Sequence, residues 1–145
     1  MPPHTEPPQP PSGTTPERLL DGTLPAGVYR WPDPLDDLPS RARDAGWHTS
    51  RLSLDEVPDK ESLMRACAQA LRLPEYVGHN WDALEEALGD LSWWPEAPGH
   101  LLLVNGWPSY ARRLPRDAAT LLSVLNQVTA LDPGVRPTPL TVLVD

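Results

Sequence analysis

The side chains best suited to chemistry are the carboxylates of Asp82, Glu85, Glu86 and Asp90. They crowd into one stretch, Leu73–Leu91 (LPEYVGHNWDALEEALGDL). Asp82–Glu86 and Glu86–Asp90 are both i,i+4 pairs, so on a helix these three acids share one face. Like charges at that spacing each cost about 0.2–0.5 kcal/mol, and no Lys or Arg between Arg72 and Arg112 offsets them. Carboxylates accept paired hydrogen bonds from arginine, a strong charge-assisted contact, so docking of a cationic group is the chemistry this stretch suits. Tyr76 adds a flat amphipathic surface, Gly78 permits close approach, and Asn80 offers both a donor and an acceptor.

Catalytic uses of the same residues are weaker. His79, Asp82 and Glu86 stand at i, i+3 and i+7, but His79 would precede the helix and no second histidine lies nearby to complete a metal site. Carboxylates that work as acid and base flank a cleft from separate elements, whereas these line one exposed helix. GxSxG, Walker, GxGxxG and CxxC patterns are absent, and His4, His48 and His100 have no acidic or nucleophilic partner in sequence. No enzyme activity, cofactor or metal is expected.

The elements that must position the acids follow from periodicity. Asn80 is a suitable N-cap, and Trp81, Leu84, Leu88 and Leu91 give the acidic helix its apolar side. Pro58-Asp59 opens the preceding helix, with Leu63, Met64, Cys67, Ala70 and Leu71 inward, and Pro74 stops it. Trp47–Leu54 reads as a strand, and His100–Asn105 (HLLLVN) as one covered on both faces. Pro108–Arg113 is a helical turn, Asp117–Leu131 a longer helix, and Pro139–Val144 the last strand. In the adjacent Trp93-Trp94 pair the side chains are expected to point opposite ways; core or edge packing is the readier use of the pair, and one core member with one at an interface is the alternative. Strands alternating with helices give an α/β fold with a small parallel sheet.

Composition bounds the partners. The net charge of −8 over 145 residues opposes direct nucleic-acid binding, which needs a basic surface, and favours a basic protein partner. Solubility alone would account for an acidic average, and accounts less well for the window without Lys or Arg. The single Cys67 among apolar neighbours points to a buried thiol in a reducing compartment. The first residues lack the basic and apolar regions of a secretory signal, and no apolar run approaches the ~20 residues of a membrane span. A cytoplasmic protein, monomeric when free, is expected. Eleven Arg beside the single Lys60 point to a GC-rich bacterial genome. The first sixteen residues hold seven prolines and no large apolar residue; residues 1–25 are therefore expected to form a disordered tail, with residues 26–145 one domain.

The run Leu73-Pro74-Glu75-Tyr76, Gly78, Asn80, Asp82-Ala83-Leu84 and Leu88 forms the pattern LPEYxGxNxDALxxxL. It resembles the barstar family, small intracellular inhibitors of secreted microbial ribonucleases. The resemblance extends from about Trp47 to Asp145, leaving residues 26–46 as an added strand and helix. It implies three core parallel strands covered by helices, with Gly27–Trp31 a candidate fourth. It also implies an inhibitory helix that enters the nuclease active site, its carboxylates standing where substrate phosphate binds. By position, Tyr76, Asn80 and Asp82 keep the family's contact residue types, Glu86 falls where the central Asp lies, and Gln127 falls where an accessory Glu occurs. Glu85 replaces an aromatic, and Gly89-Asp90-Leu91 replaces Thr-Gly-Trp. The partner-binding set so implied is Tyr76, Gly78, Asn80, Trp81, Asp82, Glu85, Glu86, Gly89, Asp90 and Gln127. The expected function is inhibition of a basic ribonuclease. The alternative is a binding module or immunity protein of the same fold for another basic toxin or regulatory partner.

Overall fold

The computed structural model describes residues 3–145. Four strands, β1 (Val28–Arg30), β2 (His48–Ser53), β3 (His100–Asn105) and β4 (Leu140–Val144), pair in parallel in the order β1-β4-β3-β2. The two apolar runs occupy the centre: β4 is buried throughout, and β3 at every residue but Asn105. A parallel strand covered on both faces needs a near-continuous apolar run, which HLLLV and LTVLV supply with His100 and Thr141 as their buried polar exceptions. The edge strands β1 and β2 are only partly buried.

Side chains alternate across these strands. Leu102, Val104, Val142 and Val144 face α3 (Lys60–Ala70), α4 (Trp81–Asp90), α5 (Trp107–Arg113) and α6 (Pro115–Thr129), in a core with Leu63, Leu84, Leu88, Tyr110, Leu121 and Leu125. Leu101, Leu103 and Leu143 face the other way, toward α1 (Pro16–Leu20), a 3-10 turn (Leu35–Asp37) and α2 (Leu38–Asp44). The chain crosses the whole sheet from β1 to β2 and then steps back through β3 to β4. Right-handed crossovers in opposite directions put their helices on opposite faces, which gives the three layers. Cys67 is buried in the larger core, and burial pushes its thiol up to about 12.

One sequence expectation resolves here. The added segment does extend the sheet, because β1 pairs with β4 as the fourth strand. Pro39 sits in the first turn of α2 and Gly46 follows it at φ +81°, the left-handed position that favours glycine after a helix.

The Pro-rich N-terminus differs from the disordered tail expected over residues 1–25; residues 1 and 2 lie outside the described residues. The Trp107 indole donates to the Thr5 carbonyl at 2.8 Å, and the Arg30 amide donates to the Pro8 carbonyl at 2.8 Å. Thr15 caps the short helix α1, which carries the fully buried Leu19 into the second core beside Leu24. Low apolar content in residues 1–16 concealed this, because the anchors are carbonyl groups and two leucines just beyond. Pro8 thereby meets the open edge of β1, where a residue without an N–H discourages further strand pairing.

Candidate functional site

The site is built from the loop after α3 and the helix α4. Arg72 ends α3 in the left-handed region (φ 53°), and the Leu73 amide donates back to the Ala68 carbonyl at 2.9 Å. Pro74 prevents any continuation, and a tight turn from the Val77 amide to the Pro74 carbonyl leaves Tyr76 84% exposed. A Cβ on Gly78 would lie 3.1 Å from the Asn80 amide nitrogen and 3.6 Å from Ala83, so the loop lies tightly against the helix start. Asn80 is the N-cap, its Oδ1 accepting from the Ala83 amide at 2.8 Å. Its acceptor is thus committed to the helix, which leaves the side-chain N–H donors for a partner.

Leu84, Ala87 and Leu88 bury one side of α4, and Leu91 closes it in the left-handed conformation (φ 48°) with its amide on the Ala87 carbonyl. Asp82, Glu86 and Asp90 are exposed and Glu85 is half-buried. None of the four ion pairs among the described residues involves an acid of this helix. Asp82 lies in the first turn, where the helix dipole favours a negative charge; Asp90 lies in the last, where it does not. The Ser92 hydroxyl donates to Asp90 Oδ2 at 3.1 Å. Arg136, far along the chain, is buried; burial pulls its guanidinium below the ordinary value, and the Asp90 charge opposes that shift.

Loop and helix enclose a groove of about 300 Å³, with Glu86 and Asp90 on the helix side, Tyr76 and Gly78 on the loop side, and Trp93 also on its wall. Carboxylates and aromatic faces around one concavity suit a guanidinium, which pairs with the former and stacks on the latter. Both tryptophan indoles, Trp93 and Trp94, donate to the Leu71 carbonyl at 2.9 and 2.8 Å, so they converge there instead of pointing opposite ways as a strand would have them. Trp94 is the core member of the pair; Trp93 is half-buried and belongs to the groove.

The structure brings Tyr76, Gly78, Glu86 and Asp90 together in this groove, and Asp82 lies one turn from Glu86 on the exposed face. Other members of the implied set are placed differently. Trp81 packs against the main core, because its position falls on the buried side of the helix. Gly89 faces Leu131, with 3.6 Å from its would-be Cβ to Leu131 Cδ1. Gln127 is exposed on α6 and lines a separate concavity with Leu122 and Asn126. Arg136 escaped the sequence reading of the site, and the Trp93-Trp94 pattern does not say which of the two reaches the groove, since neither Arg136 nor Trp93 carries a local signal of proximity to the acids.

No helix among the described residues is long and apolar enough to cross a membrane. No curated protein matches the chain. Residues 47–144 match the family described as Barstar (barnase inhibitor), a span that takes in β2 to β4 and the whole loop–helix site. On that match, which covers most of its length, the chain belongs to the barstar family, a family of inhibitors rather than enzymes.

Proposed function

We propose that this chain inhibits a basic ribonuclease in the cytoplasm, presenting α4 to the enzyme's active site so that Asp82 and Glu86 occupy the place of substrate phosphates. The observation that carries this reading is the exposed acidic face of α4, unpaired within its own helix and bordered by the Tyr76–Trp93 groove. The partner's arginines would supply the charge that the helix lacks. Residues 76–90 are the proposed contact region, with Glu86 central, Asn80 donating through its amide, and Gln127 peripheral.

The test is inhibition of barnase, the enzyme named in the family description. The chain is expected to suppress RNA hydrolysis at near-stoichiometric ratio. Glu86→Ala and Asp82→Ala should each weaken binding by more than about tenfold, or ~1.4 kcal/mol. If neither does, α4 is not the inhibitory surface. Association should slow as ionic strength rises, because oppositely charged surfaces steer encounter; an on-rate independent of salt contradicts steering.

A second reading keeps the fold and the acidic surface but changes the target to another basic toxin or regulatory protein. It is favoured by Glu85, Gly89 and Asp90, which differ from the family's contact types, and by the seat of Gly89 against Leu131. Recovery of a basic non-nuclease partner on the immobilised chain, with loss on Glu86→Ala, would select it.

A further inference from the structure

The described residues leave three large apolar side chains exposed, Tyr76, Leu131 and Val135. Tyr76 and Leu131 both border α4. At 3.6 residues per turn, Asp82, Glu86 and Gly89 fall on one outward stripe, with Ala83, Ala87 and Asp90 to one side and Glu85 to the other. Tyr76 flanks the stripe on the first side, across the groove from Glu86 and Asp90. Leu131 flanks it at Gly89, where its Cδ1 lies 3.6 Å from a would-be Cβ. Val135 follows in the same turn between α6 and β4 and is 67% exposed.

This turn is held in place. The Asp132 carbonyl accepts from both the Val135 amide at 2.9 Å and the Arg136 amide at 2.8 Å. The next side chain, Arg136, is 5% exposed. Its Nε and Nη2 have no hydrogen-bond partner, and the charge that favours them is Asp90 on the last turn of α4. A buried guanidinium that lacks protein hydrogen bonds is costly, and the Asp90 charge offsets part of that cost; the contact of Leu131 with Gly89 holds the start of the turn against the helix end. Leu131 thus stands against the acidic stripe at Gly89, and Val135 is exposed four residues on in the same turn.

We propose that residues 131–136 form an apolar shoulder of the same partner-binding surface, seated on an apolar patch that borders the partner's basic cleft. This rests on the reading of α4 as the binding helix. The acidic stripe selects a basic partner, and the shoulder lies where that partner would overhang Gly89. The two parts act on different rates. Charges at an interface govern encounter and its salt dependence, whereas apolar contacts that form on docking govern mainly dissociation.

The experiment measures association and dissociation of barnase with the full chain, Glu86→Ala, Val135→Ser and the Leu131→Ser/Val135→Ser pair, with thermal unfolding of each. Val135→Ser lies at an exposed position and keeps the fold. Expected is dissociation about tenfold faster for the pair and severalfold faster for Val135→Ser, with on-rate and its salt dependence unchanged. Dissociation within twofold of the parent for both variants, while Glu86→Ala binds weakly, overturns the shoulder and leaves the α4 reading intact. No binding of barnase by the unaltered chain overturns that reading, and the shoulder with it.

Discussion

Among individual residues, the acids of α4 are unequal, although the sequence presents them as a uniform series. Asp82 is favoured by the helix dipole, Glu86 reaches the groove, and Asp90 sits at the unfavourable end of the dipole, where the Ser92 hydroxyl donates to it. Glu86 is therefore the residue whose removal should weaken a basic partner most while leaving stability unchanged. Asn80 behaves in the opposite way. Its Oδ1 satisfies the Ala83 amide, so Asn80→Ala should destabilise the protein by about 1 kcal/mol through loss of the cap, read as a lower urea midpoint. An unchanged midpoint would mean that the cap contributes nothing to global stability. The N-cap and the exposed acids were legible in the sequence because both depend on neighbours three or four positions away. The meeting of Gly89 with Leu131 was not, because nothing within a turn of either residue signals it.

Among the elements, α4 is anchored at its far end by an aromatic cluster at the start of the sheet. Trp94 lies edge-on to His48 and His100, with ring centroids 4.6 and 5.1 Å away, and the two histidines are 5.9 Å apart. The Pro95 carbonyl accepts from His100 Nε2 at 3.1 Å, so the neutral ring carries its proton there. Burial is the main cause lowering both histidines below the ordinary value of 6.5. The charges of His100 and Arg72 add to it for His48, as does Arg136 for His100, where the Pro95 contact opposes it. The folded state thus holds these rings neutral, while the unfolded chain takes up protons below pH 6.5. Stability is fully present above that value and falls as pH drops through the lowered folded values. The urea midpoint should decrease from pH 7 to pH 5, and His100→Gln should flatten the decrease. A profile equally steep in the variant would remove His100 from the effect. Partner binding should weaken over the same interval as the seat of Trp94 loosens.

The whole molecule depends on the segment outside the family match. Residues 47–144 carry three strands and the site, but Leu101, Leu103 and Leu143 are buried by Leu19, Leu24, Trp31, Leu35 and Leu38. We propose that the N-terminal residues and the matched region fold as one unit. Leu19→Ala in the full chain should cost about 2–5 kcal/mol in urea unfolding, while a chain beginning at Trp47 should aggregate through its uncovered sheet face. A Leu19→Ala variant as stable as the parent would show that the second layer is dispensable.

Sequence alone determined what depends on short range. Periods of two and 3.6 set the strands and helices, prolines and caps set their ends, and the absence of bases from residues 73–111 marked the acidic helix. Only the tertiary structure decided which distant groups meet. It placed β1 beside β4, laid the Pro-rich N-terminus along the sheet edge, and brought Trp93, Leu131 and Arg136 to α4. Periodicity records which side of an element is apolar, but carries no address for the surface that covers it. That pairing depends on chain crossing and packing, which no window of adjacent residues contains.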